Sequence, residues 1–228
     1  MDLENKTTFI SGGGKNIGRS IALNLAGSGS NIVLNGAADL DACNKTATDV
    51  EKLGVKTMVL MGNVGSSDEV RTMSEKAINH FGSIDIVINN AAIRPSKPFL
   101  EMTDSDWHNV LDIDLNSAFY TCRAFAGGML EKGWGRIVNI TGMNAIHGYK
   151  GRAPVSAAKH GLWGLTKSLG KEFGASGITT NAISPGPIDT DGDHPQREHI
   201  LSMVPRVPLG RLGKPEEIAA LTGFLCSN

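Results

Sequence analysis

The sequence is short of the features that mark several protein classes. Its three cysteines, Cys43, Cys122 and Cys226, are far apart, odd in number and form no Cys-x-x-Cys pair. Neither a disulfide framework nor a zinc site is suggested, and the three read as small core or helix residues. No sign of charge dominates: 22 basic and 23 acidic residues are interspersed, with a net charge of −1. That leaves no electrostatic footprint for nucleic acid or an anionic membrane, and it points to a small-molecule partner. No apolar run approaches the length of a membrane span, and the opening "MDLENKTTFISGGG" lacks the basic and apolar regions of a signal peptide. A reducing, cytoplasmic setting is expected. No Pro/Ser/Gly-rich linker divides the 228 residues, which are 40% hydrophobic, so a single domain over residues 1–228 is expected to bury one sizeable core.

What is present is an alternation of strands and helices. "TTFIS" (7–11) is a short apolar run ending in glycines, and "IGRSIALNLAGSG" follows with Ile17, Ile21, Leu23 and Leu25 at helical intervals. "NIVLN" (31–35) is a second strand, and 39–53 a helix closed by Gly54. "KTMVLMGN" is a third strand, 67–81 a helix closed by Gly82, and "IDIVINNAA" (84–92) a fourth strand. One long helix is expected over 104–132, then a strand at 135–141, a helix at 153–174 and a sixth strand at 178–186. Strands apolar almost throughout, separated by helices, argue for a doubly wound α/β domain: a parallel sheet covered on both faces in three layers. Ligands of such sheets sit at the carboxyl ends of the strands.

The first such end is "SGGGKNIG" (11–18). Glycines there let the backbone approach a pyrophosphate, and the following helix offers unpaired N–H groups and its positive dipole end. A glycine turn can also be a plain tight connection, but its place inside a βαβ unit strengthens the dinucleotide reading.

Here the sequence resembles the short-chain dehydrogenase/reductase family, from about residue 5 to the end of the chain. Ser11, Gly12, Ile17 and Gly18 match the family's TGxxxGIG motif, with Asn16 in place of the middle glycine. Asparagine tolerates positive φ best among the other residues, so the turn is expected to survive. "NNAA" (89–92) is similar to the NNAG motif, and "SPGPIDT" (184–190) to the turn along the nicotinamide. The resemblance implies a Rossmann fold and a cofactor site of Ser11, Gly12, Gly14, Lys15, Asn16, Ile17, Gly18, Asn35, Asn63, Val64, Asn90, Ala91, Lys159, Pro185, Gly186, Ile188 and Thr190. It also implies a homodimer or homotetramer, possible pairing with an active paralogue, and a seventh strand beyond "GFLCSN"; the sequence stops at Asn228, so either a tail is missing or the sixth strand is an open edge.

Members that prefer NAD carry an acidic residue at the end of the second strand, which repels a 2′-phosphate. Asn35 and Gly36 stand there, and Lys15 matches a basic position of NADP-preferring members. NADP is therefore expected over NAD, although Lys15 is also readable as a solvated surface lysine.

The family's chemistry implies a tyrosine acid four residues before a lysine, a serine thirteen before the tyrosine, and an asparagine on the long helix. Counting back from Lys159 gives Val155 and Gly142, so both hydroxyl side chains are missing, while Asn116 matches the asparagine. Enoyl reductases and dienoyl-CoA reductases of the family place the tyrosine seven and fifteen residues before the lysine, where Arg152 and Asn144 stand. Loss of an acid costs roughly 10²- to 10⁴-fold. The loop "TGMNAIHGYKGRAP" offers His147 and Tyr149 as recruited donors, or as residues that only cap and pack the loop. Thr141 is expected to turn to the other face by strand alternation. The other histidines show no paired metal-ligand spacing. Residues 189–208 suit a lid over the substrate, or an ordinary connection. Three readings follow: an NADP(H)-dependent oxidoreductase acting on a small carbonyl/alcohol or polarised C=C substrate with a non-standard proton donor, a non-redox lyase or hydratase on the same scaffold, and a catalytically silent NADP-binding protein.

Overall fold

The computed structural model describes residues 2–190 and 197–227. The first half alternates β1 (Thr7–Ile10), α1 (Asn16–Ala26), β2 (Asn31–Gly36), α2 (Leu40–Glu51), β3 (Thr57–Met61), α3 (Ser67–Phe81) and β4 (Ile86–Asn89). The second half holds α4 (Asp104–Leu111), α5 (Ser117–Lys132), β5 (Gly135–Ile140), α6 (Asn144–His147), α7 (Ala153–Phe173), β6 (Ile178–Ile183), α8 (Arg197–Leu201) and α9 (Pro215–Cys226). The strands form one parallel sheet in the order β3-β2-β1-β4-β5-β6. This is the doubly wound Rossmann order, and its direction of winding reverses between β1 and β4.

Alternation along each buried strand divides the core in two. Ile10, Ile32, Leu34, Ile88 and Val138 pack with Ile21 and Leu25 of α1, Val50 of α2 and Cys226 of α9. Their neighbours Phe9, Val33, Val87 and Ile137 face the opposite layer, against Met73 of α3 and Cys122, Phe125 and Met129 of α5. Side chains on both faces are apolar, which is why these strands read as continuous apolar runs.

The expected helix over 104–132 is not uniform. Thr103 opens it with a capping box shared with Asp106, and a wide π turn over Asp112–Asn116 then interrupts it. Such a turn inserts one residue and often marks a functional site. Five expected strands also end early, β3 at Met61 and β5 at Ile140 among them. β1 stops at Ile10, where the glycine turn begins; β4 stops at Asn89; and β6 stops at Ile183, before the proline-containing segment 184–187. The short helix α6 lies in a stretch read as loop. Of the expected lid, residues 191–196 lie outside the described residues, while Arg197 ties α8 back to the Asp189 carboxylate and the Thr190 carbonyl.

Candidate functional site

A cleft of about 400 Å³ crosses the carboxyl ends of β1, β4, β5 and β6. Its floor is the glycine turn. Gly12 holds φ at +64°, and a Cβ on Gly18 would lie 2.1 Å from the Gly12 carbonyl oxygen. Asn16 adopts φ of 48°, the left-handed backbone anticipated for it. The Ser11 hydroxyl accepts from the backbone N–H groups of Asn90 and Ala91, while the Asn90 amide donates to the carbonyls of Ser11 and Gly12. These bonds join the β1 and β4 turns, with Ser11 buried beneath them. No acidic side chain sits in the first turn of α1, and its N-cap residue Lys15 makes no side-chain cap. The leading N–H groups of α1 suit an anion.

Gly12, Lys15, Asn16, Ile17, Gly18, Asn90, Ala91, Pro185, Gly186, Ile188 and Thr190 all border this cleft. The turn over 185–190 is held by backbone bonds to Gly213. Gly14 does not border it; a Cβ there would lie 2.9 Å from the Cys43 sulfur, so its role is close packing against α2. Asn35 is corrected as well. Its buried amide donates to the carbonyls of Leu60 and Gly62, 3.2 and 2.9 Å away, so the side chain serves β3 while its own carbonyl accepts from Gly13 N–H. Asn63 and Val64 also stand off the cleft: Asn63 accepts from Gly65 N–H, and Val64 is part of the core.

Lys15 borders the cleft as expected, but it is paired with Asp39. The absence of a carboxylate near the end of β2 is thereby corrected. Asp39, which caps α2 by accepting from Ala42 N–H, reaches the same place from three residues beyond the strand. The Lys15 ammonium beside it, then the Ala42 N–H, hold its carboxyl below the ordinary range.

At the other end, Val155 is buried with Val110 and Ala158 in an apolar cluster, and Gly142 holds φ at +113°. Lys159 is 2% exposed and does not border the cleft. Its Nζ donates to the Ile140 carbonyl at 3.1 Å and stands 3.5 Å from Oδ2 of the buried Asp114. Asp114 Oδ1 accepts from Ile93 N–H at 2.8 Å, whereas Oδ2 has no hydrogen-bond partner among the described residues. Burial raises the Asp114 carboxyl above its usual value and lowers the Lys159 ammonium below its own; each opposes the shift of the other.

Asn116, the expected asparagine, is turned away and donates to Asp112 Oδ1 at 2.7 Å. The residue that meets Lys159 is Asp114, which the sequence reading missed. The π turn decides which side chain faces α7, and a uniform helix conceals it; a buried lysine's need for a counter-charge was the available signal.

His147 is exposed and off the cleft, so its candidacy as the donor is not supported. Tyr149 borders the cleft, together with Arg94 and Arg152. The chain's other tyrosine, Tyr120, packs against Phe119 and the core. Thr141 also borders the cleft, because β5 has ended at Ile140 and strand alternation no longer applies; its hydroxyl donates to the Ile183 carbonyl at 3.0 Å.

Residues 12–228 match the family model described as enoyl-(acyl carrier protein) reductase. The chain belongs to the short-chain dehydrogenase/reductase family. Within this family, it is 37% identical to the 3-oxoacyl-(acyl-carrier-protein) reductase FabG of Pseudomonas aeruginosa, over 100% of this chain and 92% of that one. It is 36% identical to the acetoacetyl-CoA reductase of Cupriavidus necator, over 97% and 91%. A solved dehydrogenase/reductase from Sinorhizobium meliloti superimposes with a TM-score of 0.92 at 30% identity, covering 99% of this chain and 89% of that chain. The curated relatives named here are oxidoreductases, and the particular chemistry of this chain must be argued from its own side chains.

Proposed function

We propose that the protein is an NADP(H)-dependent oxidoreductase that reduces a small carbonyl or polarised C=C substrate, with Tyr149 as the proton donor. The observation that carries this reading is Tyr149 itself, the one tyrosine bordering a cleft from which the usual hydroxyls at 142 and 155 are missing. The Gly12–Gly18 turn and the N-terminus of α1 fit a pyrophosphate: glycines keep the turn tight against Asn90 and Leu34, and the leading N–H groups of the helix face the cleft. Lys15 is the group for a 2′-phosphate, in competition with Asp39. Pro185, Gly186, Ile188 and Thr190 form the wall for a nicotinamide.

The reduced nicotinamide, when bound, supplies a hydride. Tyr149 gives its proton to the substrate and regains one from water, while the positive charges of Arg94 and Arg152 offset the negative charge left on its oxygen. Lys159 acts behind the site as a positioning residue, with Asp114 as its counter-charge, while Asn116 is engaged with Asp112 and takes no part. The names of the two curated relatives, which specify 3-oxoacyl and acetoacetyl groups, favour a ketone. Exposed Phe119 and Leu130 on α5 and Trp163 on α7 support a homodimer or homotetramer.

Withdrawal of Lys159 from the cleft favours a second reading, a silent NADP-binding protein. Absorbance of NADPH with a panel of ketones and enoyl thioesters separates the two. Oxidation that is abolished in Tyr149→Phe supports the first; tight NADPH binding without oxidation supports the second.

A further inference from the structure

The substrate end of the cleft is built around positive charge. Arg94 follows β4, Arg152 is the N-cap residue of α7, and both border the cleft with Tyr149. Arg152 is half-buried; burial, and then the neighbouring charge of Arg94, hold its guanidinium below the ordinary arginine range, with Tyr149 opposing. Among the described residues, no carboxylate pairs with Arg152, and no Asp or Glu borders the cleft. Asp114, the carboxylate on which Arg94 acts, is enclosed and shared with Lys159. The half-buried Arg152 guanidinium, with Arg94 bordering the same cleft, makes this wall attractive to an anion. The planar forks of the two arginines suit an oxyanion, which can accept two parallel hydrogen bonds.

A second hollow of about 310 Å³ adjoins this wall and shares Met143, Tyr149 and Met203 with the cleft. It adds Arg206, Val207 and Pro208, and most of its lining is apolar, with the Arg206 side chain as its one charged member. Tyr149 therefore stands where the cationic wall and the apolar hollow meet.

We infer that the substrate of this site is a small amphipathic oxyanion, with its acid group on Arg94 and Arg152 and an apolar arm in the hollow beside Met143, Met203 and Val207. This rests on the oxidoreductase reading, and it places the reducible bond between the acid group and the arm, within reach of Tyr149. A carboxylate and a phosphate monoester share the chemistry that the two arginines recognise.

The test is calorimetric titration of the full chain with hexanoate, hexyl phosphate and hexanamide. At least one anion is expected to bind roughly tenfold more tightly than the neutral amide, as hydrogen bonds to charged groups ordinarily give. Preference for hexanoate identifies a carboxylate, and preference for hexyl phosphate a phosphate. The preference should shrink to about threefold or less in Arg94→Gln and Arg152→Gln and survive in part in Arg152→Lys. Hexanamide binding as tightly as both anions, binding of none of the probes, or a preference unchanged in both glutamine variants overturns the inference. Should those variants fail to fold, the wild-type preference measured with NADP present in excess, which occupies the Gly12–Gly18 turn and Lys15, decides the matter: an anion preference that persists supports the inference and one that vanishes overturns it. Because heat of binding is read without turnover, a failure to oxidise NADPH leaves an anion preference standing. Loss of the anion preference likewise leaves the cofactor reading standing.

Discussion

The ammonium of Lys159 and the carboxylate of Asp114 face one another 3.5 Å apart, and neither side chain is open to solvent. Removing one partner of such a pair leaves the other charge stranded, at a cost of about 3–5 kcal/mol. Asp114→Leu should lower the unfolding free energy by that order in urea titration. Asp114→Leu combined with Lys159→Met should recover most of it, since the paired charges gain little over apolar groups once their desolvation is counted. A double variant no more stable than the single one contradicts this account.

Asn35 gives a test that separates structure from ligand binding. Its amide donates to the carbonyls of Leu60 and Gly62 inside the β2–β3 layer. Asn35→Ala should cost about 1–3 kcal/mol through the buried acceptors it leaves unmade. The NADPH dissociation constant, measured at a temperature where the variant is folded, should stay within about twofold of wild type, a change too small to signal a lost hydrogen bond.

Cofactor choice turns on Lys15 and Asp39. Lys15→Ala should weaken NADPH binding on the order of tenfold and NADH binding much less, because a charge-assisted contact to the extra phosphate is lost. Asp39→Asn should act in the opposite sense by releasing the lysine. Equal effects on both cofactors in fluorescence titration would remove Lys15 from the 2′-phosphate site.

Asp106 makes the acid limb of stability predictable. The Lys97 ammonium, then the Thr103 N–H and hydroxyl, depress its carboxyl from 3.8 to about 2. A carboxyl depressed in the folded chain stabilises above its unfolded value, and that contribution is lost as protons return. The melting temperature should therefore fall as pH drops from 3.8 through about 2, and Asp106→Asn should flatten that part of the curve.

How much could be read in advance follows from where the information lay. Phe9 and Ile10 announce a strand buried on both faces, and the glycines with Asn16 announce the turn, because strand and turn preferences are local. Counting from Lys159 along one helix gives Val155 where the family keeps its tyrosine, but not its burial with Val110 and Ala158, which depends on a separate element. Three misreadings concern contacts between separate elements. Asp39 meets Lys15 from the start of α2, Asp114 replaces Asn116 through an irregular turn, and Asn35 points into the sheet layer rather than at a ligand. In a strand apolar on both faces, alternation does not reveal which side a polar residue takes.

The wide turn over Asp112–Asn116 has a consequence for how this chain tolerates change. One residue of α-helix corresponds to about 100° of rotation, so the extra residue phases α4 and α5 independently. Deleting it would move more than an acid group: Cys122, Phe125 and Met129 would swing away from the sheet they now cover. A single insertion thus sets both the aim of a buried carboxylate and the seating of an entire layer, and neither can be retuned alone.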